Sequence, residues 1–290
     1  ENRQGVAPAG DDANFVFQNT DVLQSDHTFP STNVSVFAED LIRINHRLSV
    51  TPGARFEYIQ TRSSGTYAQE IRDLAGNLIE RNEFDDARDY ARSIVLLGIG
   101  TEYHLNEDIE LYANWSQNYR AINFNDMRIQ NPNFGIDTAL QDERGFSADL
   151  GFRGRLNREL FFDLSGYYVH YANRIGLLSM TDPQTYITYL YRTNIAASRA
   201  FGIEGVIETD IMDWFVDDSQ HHLHLFVNGS YTHARYFKSD ENGVEGNWVE
   251  QVPPVTLKSG ISYIWCGLKL SYQYSYTAQQ FTDATNTEFV

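Results

Sequence analysis

The stretch "LKLSYQYSYT", residues 268–277, alternates between two kinds of side chain with a period of two. Leu and Tyr occupy one phase, whereas Lys, Ser, Gln and Thr occupy the other. This period predicts a β-strand with one apolar and one polar face. The apolar face must meet either a second sheet, as in a soluble sandwich, or acyl chains, as in an outer-membrane barrel.

Strand-like segments follow one another along the whole chain, and helical periodicity is absent. We predict ten strands, at residues 34–44, 48–62, 90–105, 109–119, 144–156, 160–175, 189–209, 220–236, 250–265 and 268–282. The connections alternate in length. Tight turns are predicted at 45–47, 106–108, 157–159 and 266–267, with a longer exception at 210–219. Long polar loops are predicted at 63–89, 120–143, 176–188 and 237–249. This sorting is typical of a transmembrane barrel, whereas a Greek-key sandwich gives no reason for it.

The two phases of the strands differ sharply in charge. In five strands one phase carries no charged residue, although 21% of the chain is charged. On this phase we predict contact with acyl chains for Leu111, Leu150, Leu225 and Leu270. On the opposite phase we predict lumen-facing positions for Arg55, Glu57, Asp149, Arg153 and Glu204. A polar inner face suits a wide, water-filled lumen. The pattern therefore predicts an all-β, antiparallel, up-and-down transmembrane β-barrel.

Composition excludes several other classes of protein. The formal net charge is −17 and the isoelectric point is about 4.7, which disfavours a nucleic-acid partner. The single Cys266 excludes an internal disulfide framework. No apolar run approaches the length of a membrane-spanning helix, and the first residues lack the pattern of a signal peptide. No nucleophile, phosphate-binding or paired zinc motif is present, so we predict neither an enzyme nor a bound cofactor.

Several stretches, in order, resemble the barrel of TonB-dependent outer-membrane receptors. They are "NVSVFAEDLIRINHRLSVTPGARFEY" at 33–58, "IELYANWSQNYRAINFNDM" at 109–127, "NIAASRAFGIEGVIET" at 194–209, "VPPVTLKSGISY" at 252–263 and "YTAQQFTDATNT" at 276–287. The loop entry after "NWSQNYR" is most similar to receptors of the iron(III)-citrate type.

The resemblance implies a Gram-negative outer-membrane protein in contact with lipid. Receptors of this family are 22-stranded barrels around a plug, and the plug couples the receptor to the TonB complex. Ten predicted strands and no plug indicate that residues 1–290 are an internal portion of a larger barrel domain. Residues 1–33 are predicted to be an extracellular loop. The resemblance also implies active uptake of a scarce nutrient, with a siderophore or iron citrate as transported ligand.

The ligand surface is predicted on the long loops, since binding residues gather on loops held by rigid strands. In the loop that begins "NYRAINFNDM", the candidate residues are Tyr119, Arg120, Asn123, Asn125 and Asp126. Arg120 would form charge-assisted bonds to an anionic chelate, or else pair with an acid such as Asp126. Arg62, Arg128 and Arg144 also lie in or beside the long loops and would concentrate positive charge there.

Two further readings of the sequence stay open. "HHLHLF" places His222 and His224 on one face of a strand, with His221 beside them. A metal site is conceivable there, but ordinary polar lumen residues are the preferred interpretation, so no metal is predicted. For function, the alternatives to active uptake are a passive porin and a soluble carbohydrate-binding or adhesive β-protein.

Overall fold

The computed structural model describes residues 5–6, 16–17, 25–73, 75, 77–127, 134–156, 160–181, 183, 186, 188–215 and 220–290. These residues form fifteen strands, β1 Gly5–Val6, β2 Val16–Phe17, β3 Ser25–Thr28, β4 Ser31–Glu39, β5 Ile42–Arg43, β6 Leu48–Arg72, β7 Leu78–His104, β8 Ile109–Arg120, β9 Phe134–Ile136, β10 Glu143–Leu156, β11 Leu160–Thr181, β12 Thr188–Asp210, β13 His221–Ser239, β14 Val255–Trp265 and β15 Leu268–Thr277.

Helical structure in the described ranges is confined to a four-residue α-helix, α1, at Phe124–Met127 and a 3₁₀ turn at Met212–Trp214. No helix among these residues has the length and apolar character needed to cross a membrane.

Thirteen of the described strands form one sheet. Ten of them follow the order β15-β14-β13-β12-β11-β10-β8-β7-β6-β3, while β4 and β5 pair with β6, and β9 pairs with β12. Strands β3, β4 and β5 follow one another along the same edge of β6 and act as one interrupted strand. With β4 and β5 counted together, the ten predicted strands are all present, and each pairs antiparallel with its neighbour. The described pairings leave the sheet unclosed. The prediction of an antiparallel up-and-down fold is confirmed.

The tight turns share one end of the sheet, as predicted, and two of them use the same device. The side-chain oxygen of Asn45 accepts the backbone N–H groups of Arg47 and Leu48, at 2.8 and 2.9 Å. Asn106 does the same for Asp108 and Ile109. Asn favours turns because its short amide can hydrogen-bond the backbone two or three residues on. The predicted turn at 157–159 lies outside the described residues.

The fourth turn, between β14 and β15, depends on backbone conformation. Cys266 and Gly267 have φ angles of 46° and 85°. Two consecutive positive φ angles are what a two-residue turn needs in order to match the twist of a hairpin, and glycine adopts the second one without strain.

Two of the four predicted long loops are wrong. Residues 63–72 and 78–89 continue β6 and β7 as a hairpin, and residues 176–181 and 188 continue β11 and β12. At about 3.4 Å per residue, the 25 residues of β6 reach far beyond a hydrocarbon core of about 30 Å. An extension of this length lies beyond the reach of acyl chains, so neither of its faces needs to be apolar. The apolar alternation that marks a strand is therefore lost there, although the backbone pairing persists.

One pairing departs from the antiparallel arrangement predicted from the sequence. Strand β9 runs parallel to β12, with residues 134–136 opposite 190–192. The pairing of β12 with β13 ends at Ala196, so this part of β12 has a free edge. Strand β9 covers part of that edge, because uncovered backbone donors and acceptors are costly where they are sheltered from water.

The two faces of the sheet have the predicted chemistry. Leu150 and Arg153 lie three residues apart in the regular strand β10 and therefore point to opposite faces. The Leu150 face is apolar and open, with Leu150 65% exposed and Leu270 58% exposed. On the Arg153 face, Asp149 accepts a 2.9 Å hydrogen bond from Asn114 of β8. Contact of the apolar face with acyl chains stays a prediction.

Buried apolar side chains gather at the end of the sheet opposite the tight turns. One cluster consists of Ile122, Met127, Ile136 and Leu140. A second consists of Ala196, Ala234, Tyr236, Val244 and Val249. Both pack connecting segments against the ends of strands. The loop end is therefore a folded assembly with its own core, and it positions the side chains described next.

Candidate ligand-binding site

Arg120, the last residue of β8, ties three elements together. Its guanidinium donates to Asp126 of α1 at 2.8 Å and to Glu143, the first residue of β10, at 2.7 Å. Both carboxylates are buried, whereas the Arg120 side chain remains 36% exposed. The prediction left two roles open for Arg120, and the structure places it in an ion pair with Asp126.

Two of the three polar residues that follow Arg120, Asn123 and Asp126, cap the N-terminus of α1. The side chain of Asn123 accepts the backbone N–H of Asn125 at 2.8 Å, and Asp126 accepts the backbone N–H of Asn123 at 3.0 Å. This reciprocal arrangement is a capping box, which satisfies backbone donors that a helix start leaves unpaired. Asn123 and Asp126 therefore hold the loop in shape, whereas the Asn125 side chain is exposed.

A second ion pair lies beneath the same loop. Arg92 of β7 donates to Asp142 at 2.8 Å and to the carbonyl oxygen of Ile122 at 3.1 Å. The other Asp142 oxygen accepts the backbone N–H of Ile122 at 2.9 Å. The Arg92 and Asp142 side chains are only 15% and 5% exposed. The prediction named neither residue.

Arg192 of β12 reaches the loop from the other side. It donates to the carbonyl oxygen of Asn125 and lies over the Phe134 ring, 4.8 Å from its centroid. No carboxylate of the described residues lies within ion-pair distance of it. Beside it, Asp137 accepts hydrogen bonds from the Thr193 hydroxyl and the Ala139 backbone, which lower the pKa of the Asp137 carboxyl.

Tyr119 and the predicted lumen-facing residues belong to a polar network on the Arg153 face. Tyr119 donates to Glu57, which also pairs with Arg55 and is 3% exposed. Arg153 pairs with Glu110 of the neighbouring strand. Further along the sheet, Glu204 accepts a 3.4 Å hydrogen bond from Ser165. These contacts link neighbouring strands; a role of these residues in lining a lumen stays a prediction.

The predicted loop cations turn out differently from one another. Arg62 pairs with Asp89 at 3.2 Å, and both side chains are about half exposed. Arg144 is exposed and has no ion pair among the described residues. Arg128 lies outside the described residues. Around the 121–127 segment, Arg92 and Arg120 pair with three buried acids, Asp126, Asp142 and Glu143, whereas Arg192 has no carboxylate partner among the described residues.

Parts of β4, β6 and β8, together with the segment 121–124, enclose a cleft of about 480 Å³ beside Arg120. Its walls combine aromatic, amide and guanidinium groups, from Phe29, Asn33, Tyr119, Arg120, Asn123 and Phe124. A volume of this order suits a small molecule. The structure thus brings Tyr119, Arg120 and Asn123 to one surface, and it leaves Asn125 and Asp126 outside the cleft lining.

The sequence matches one family model over nearly its whole length. Residues 3–289 match the model described as TonB dependent receptor-like, beta-barrel. The chain belongs to this family. A search of curated proteins finds no match.

Solved structures of TonB-dependent receptors have the same fold as this chain. The ferric yersiniabactin uptake receptor FyuA from Yersinia pestis is 17% identical, with a TM-score of 0.68 over 91% of this chain and 37% of that chain. The ferric citrate transporter FecA is 13% identical, with a TM-score of 0.61 over 91% and 44%. The copper transporter OprC is 17% identical, with a TM-score of 0.62 over 88% and 36%. This chain thus spans less than half of each receptor.

Membership of the TonB-dependent receptor family places the chain in the Gram-negative outer membrane, as predicted. It also rules out a soluble adhesive protein, which would not present side chains such as Leu150 and Leu270 to water. The three relatives have different cargoes by name, and identities below 25% show the fold alone. The cargo must therefore be argued from this chain's own loop end.

Sequence reasoning found Arg120 but missed Arg92, Asp142, Glu143 and Arg192. Asp142 and Glu143 come just before the predicted strand at 144–156. The charge-free phase of that strand gives no indication that the two acids are buried. Arg192 lies in a segment that was predicted to be an ordinary strand. The missing information is spatial, because β9 brings the loop across to β12 and no local pattern encodes that crossing.

Proposed function

We propose that this chain is the barrel part of an active, TonB-coupled receptor for an anionic ferric chelate, a siderophore complex or iron citrate. The proposal rests on the cleft beside Arg120. There the partly exposed Arg120 side chain adjoins aromatic and amide groups, within a chain whose net charge is −17. Arg120 provides charge-assisted bonds to carboxylate or catecholate oxygens, and Phe29 and Phe124 cover the apolar parts of the chelate.

Local charge balance supports this choice. Beside the cleft, Asp142 pairs with Arg92, and Asp126 and Glu143 pair with Arg120, whereas Arg192 has no carboxylate partner among the described residues. These three cations and three acids balance in number, whereas the chain as a whole carries a charge of −17 and repels anions. On this balanced background, the partly exposed Arg120 side chain gives an anion its most favourable docking point. Release of the ligand into the periplasm would proceed through the plug and the TonB complex. The protein would act as a transporter and not as an enzyme.

The test is binding of ferric citrate and of a panel of ferric siderophores to the purified full-length receptor. Arg120→Ala removes the charge but also leaves two buried carboxylates without their arginine partner. The informative variant is therefore Arg120→Gln combined with Glu143→Gln, which keeps the local net charge. We expect a loss of about ten- to a hundredfold in affinity, the value of a charge-assisted bond.

Arg62→Gln serves as the matched control, because Arg62 is a half-exposed loop arginine outside the cleft. Affinity should be unchanged in this variant. Equal affinities in all three proteins would remove Arg120 from the site. Binding of no ferric chelate by the unmodified receptor would remove iron as the cargo. Uptake that persists after the proton-motive force is collapsed would indicate a passive porin instead.

A further inference from the structure

The connection between β12 and β13 is the long exception at the tight-turn end of the sheet. Asp210 is the last residue of β12, and His222 and His224 lie near the start of β13. The two histidines are two residues apart in the strand and therefore point to the same face. Their imidazole rings stack with an interplanar angle of 8° and centroids 5.9 Å apart.

The Asp210 carboxylate is fixed by the backbone. One of its oxygens, Oδ1, accepts the N–H groups of Met212 and Leu223, both at 3.0 Å. The other oxygen, Oδ2, points to the two imidazoles and lies 2.9 Å from Nδ1 of His222 and 3.6 Å from Nδ1 of His224. Outer hydrogen bonds of this kind orient the carboxylate ligands of metal ions.

The spacing of the three donor atoms fits one ion. Zinc–ligand bonds of about 2.0–2.1 Å in a tetrahedron give ligand–ligand distances of roughly 3.4 Å. The two distances from Asp210 Oδ2 lie on either side of that value, and the three donor atoms lie within 4.8 Å of one another. An ion would thus replace the hydrogen bond between His222 and Asp210 with only small side-chain movements.

The surroundings allow a cation to enter. The Asp210 side chain is 7% exposed, whereas those of His222 and His224 are 42% and 52% exposed. Asp210 and His224 line a cleft of about 420 Å³ that also contains Glu208, Asp213 and Arg155. The carboxylates outnumber the single arginine, so the cleft attracts a cation, and the open side leaves a coordination position for water.

A second group of suitable residues, Glu102, His104 and Glu110, lacks this freedom. Arg153 pairs with Glu110 and lies 3.7 Å from Glu102. A guanidinium thus already occupies the position that a cation would take, and this group carries no metal proposal.

We propose that Asp210, His222 and His224 bind one divalent transition-metal ion of the zinc, nickel or copper type. A donor set of two imidazoles and a carboxylate binds these transition-metal ions in preference to Mg²⁺ or Ca²⁺. The ion joins the end of β12 to the start of β13, across the longest connection on the tight-turn side. It thereby holds the two strands in register at this end of the sheet. This role is independent of the cargo bound at the opposite end.

The experiment is titration of the purified receptor with Zn²⁺ by calorimetry, with a purification tag that contains no histidine. We expect one ion per chain, binding at least tenfold weaker in His224→Gln, and no binding at this site in the His222→Gln/His224→Gln double variant. His46→Gln is the matched control, since His46 is an exposed histidine in a tight turn at the same end; its binding should be unchanged.

Cu²⁺ and electron paramagnetic resonance provide a second measurement that does not depend on folding of the variants. The unmodified receptor should show coupling to two imidazole nitrogens. No Zn²⁺ binding by the unmodified receptor, unchanged binding by a folded double variant, or a Cu²⁺ spectrum without nitrogen coupling would each overturn the proposal.

Discussion

The apolar face of the sheet and the loop end are stabilised in opposite ways. On the apolar face, residues such as Leu150 are exposed, and we predict that surrounding acyl chains stabilise them. At the loop end, Arg92 and Asp142 come from segments 50 residues apart and are buried against each other. The first region depends on its solvent and the second on its internal contacts. One chain can therefore be weakened at either region through quite different substitutions.

The largest effect is expected for Asp142→Ala at the loop end. Removal of this carboxylate leaves the Arg92 charge buried without its partner, which typically costs about 3–5 kcal/mol. Hydrogen exchange of the amides in residues 121–127 should show this as a loss of protection, while the barrel strands stay protected. Asp89→Ala breaks the half-exposed pair with Arg62 and should cost less than about 1 kcal/mol. Equal losses in both variants would contradict the distinction.

A smaller effect is expected for Leu150→Arg on the apolar face. Arginine at a lipid-facing site near the bilayer midplane costs about 2–4 kcal/mol. Urea unfolding of the receptor in lipid vesicles measures this loss. Asp149→Arg, one residue away on the polar face, should cost less because it meets no acyl chain. A Leu150→Arg receptor as stable as the parent would show that this face does not contact lipid.

The smallest effect is expected beside the second buried cluster, where the stability of the loop depends on pH. Burial and the neighbouring Glu250 carboxylate raise the pKa of Glu241. The folded loop thus binds this proton more tightly than the open loop, and ionisation destabilises it at neutral pH. The cost disappears as the pH falls to the ordinary value of 4.5. Glu241→Gln should stabilise residues 243–249 at pH 7 by less than about 1 kcal/mol and have no effect near pH 4, as measured by hydrogen exchange.

How much of the fold the sequence predicts depends on the solvent of each region. Within the membrane-facing part, a period of two separates Leu150 from Arg153, and Asn45 and Asn106 mark the turns, so the strands and their order were predictable. Beyond it, β6 and β7 continue past the thickness of a hydrocarbon core, so neither of their faces needs to be apolar. The charged residues at 78–89 do not follow a period of two, so the sequence predicts a loop where the structure has a hairpin.

The candidate site was predictable only in part for a related reason. Arg120, Asn123 and Asp126 are close in sequence, so one loop entry revealed them together. Arg92, Asp142 and Arg192 come from distant segments, and they meet only because the 121–142 connection crosses to β12. The pairing of Arg120 with Asp126 was one of two alternatives, and only the geometry chose between them.

The parallel pairing of β9 with β12 also joins two connections into a single unit. Beyond the three paired residues, Asn194 of β12 accepts the N–H of Gln141 at 2.8 Å and donates to its carbonyl oxygen at 2.9 Å. A transplant of residues 121–142 alone into another receptor would therefore lose the surface on which it folds. A transplant that carries residues 176–194 as well would keep that surface. For engineering and for inheritance alike, the two connections are one module that changes together.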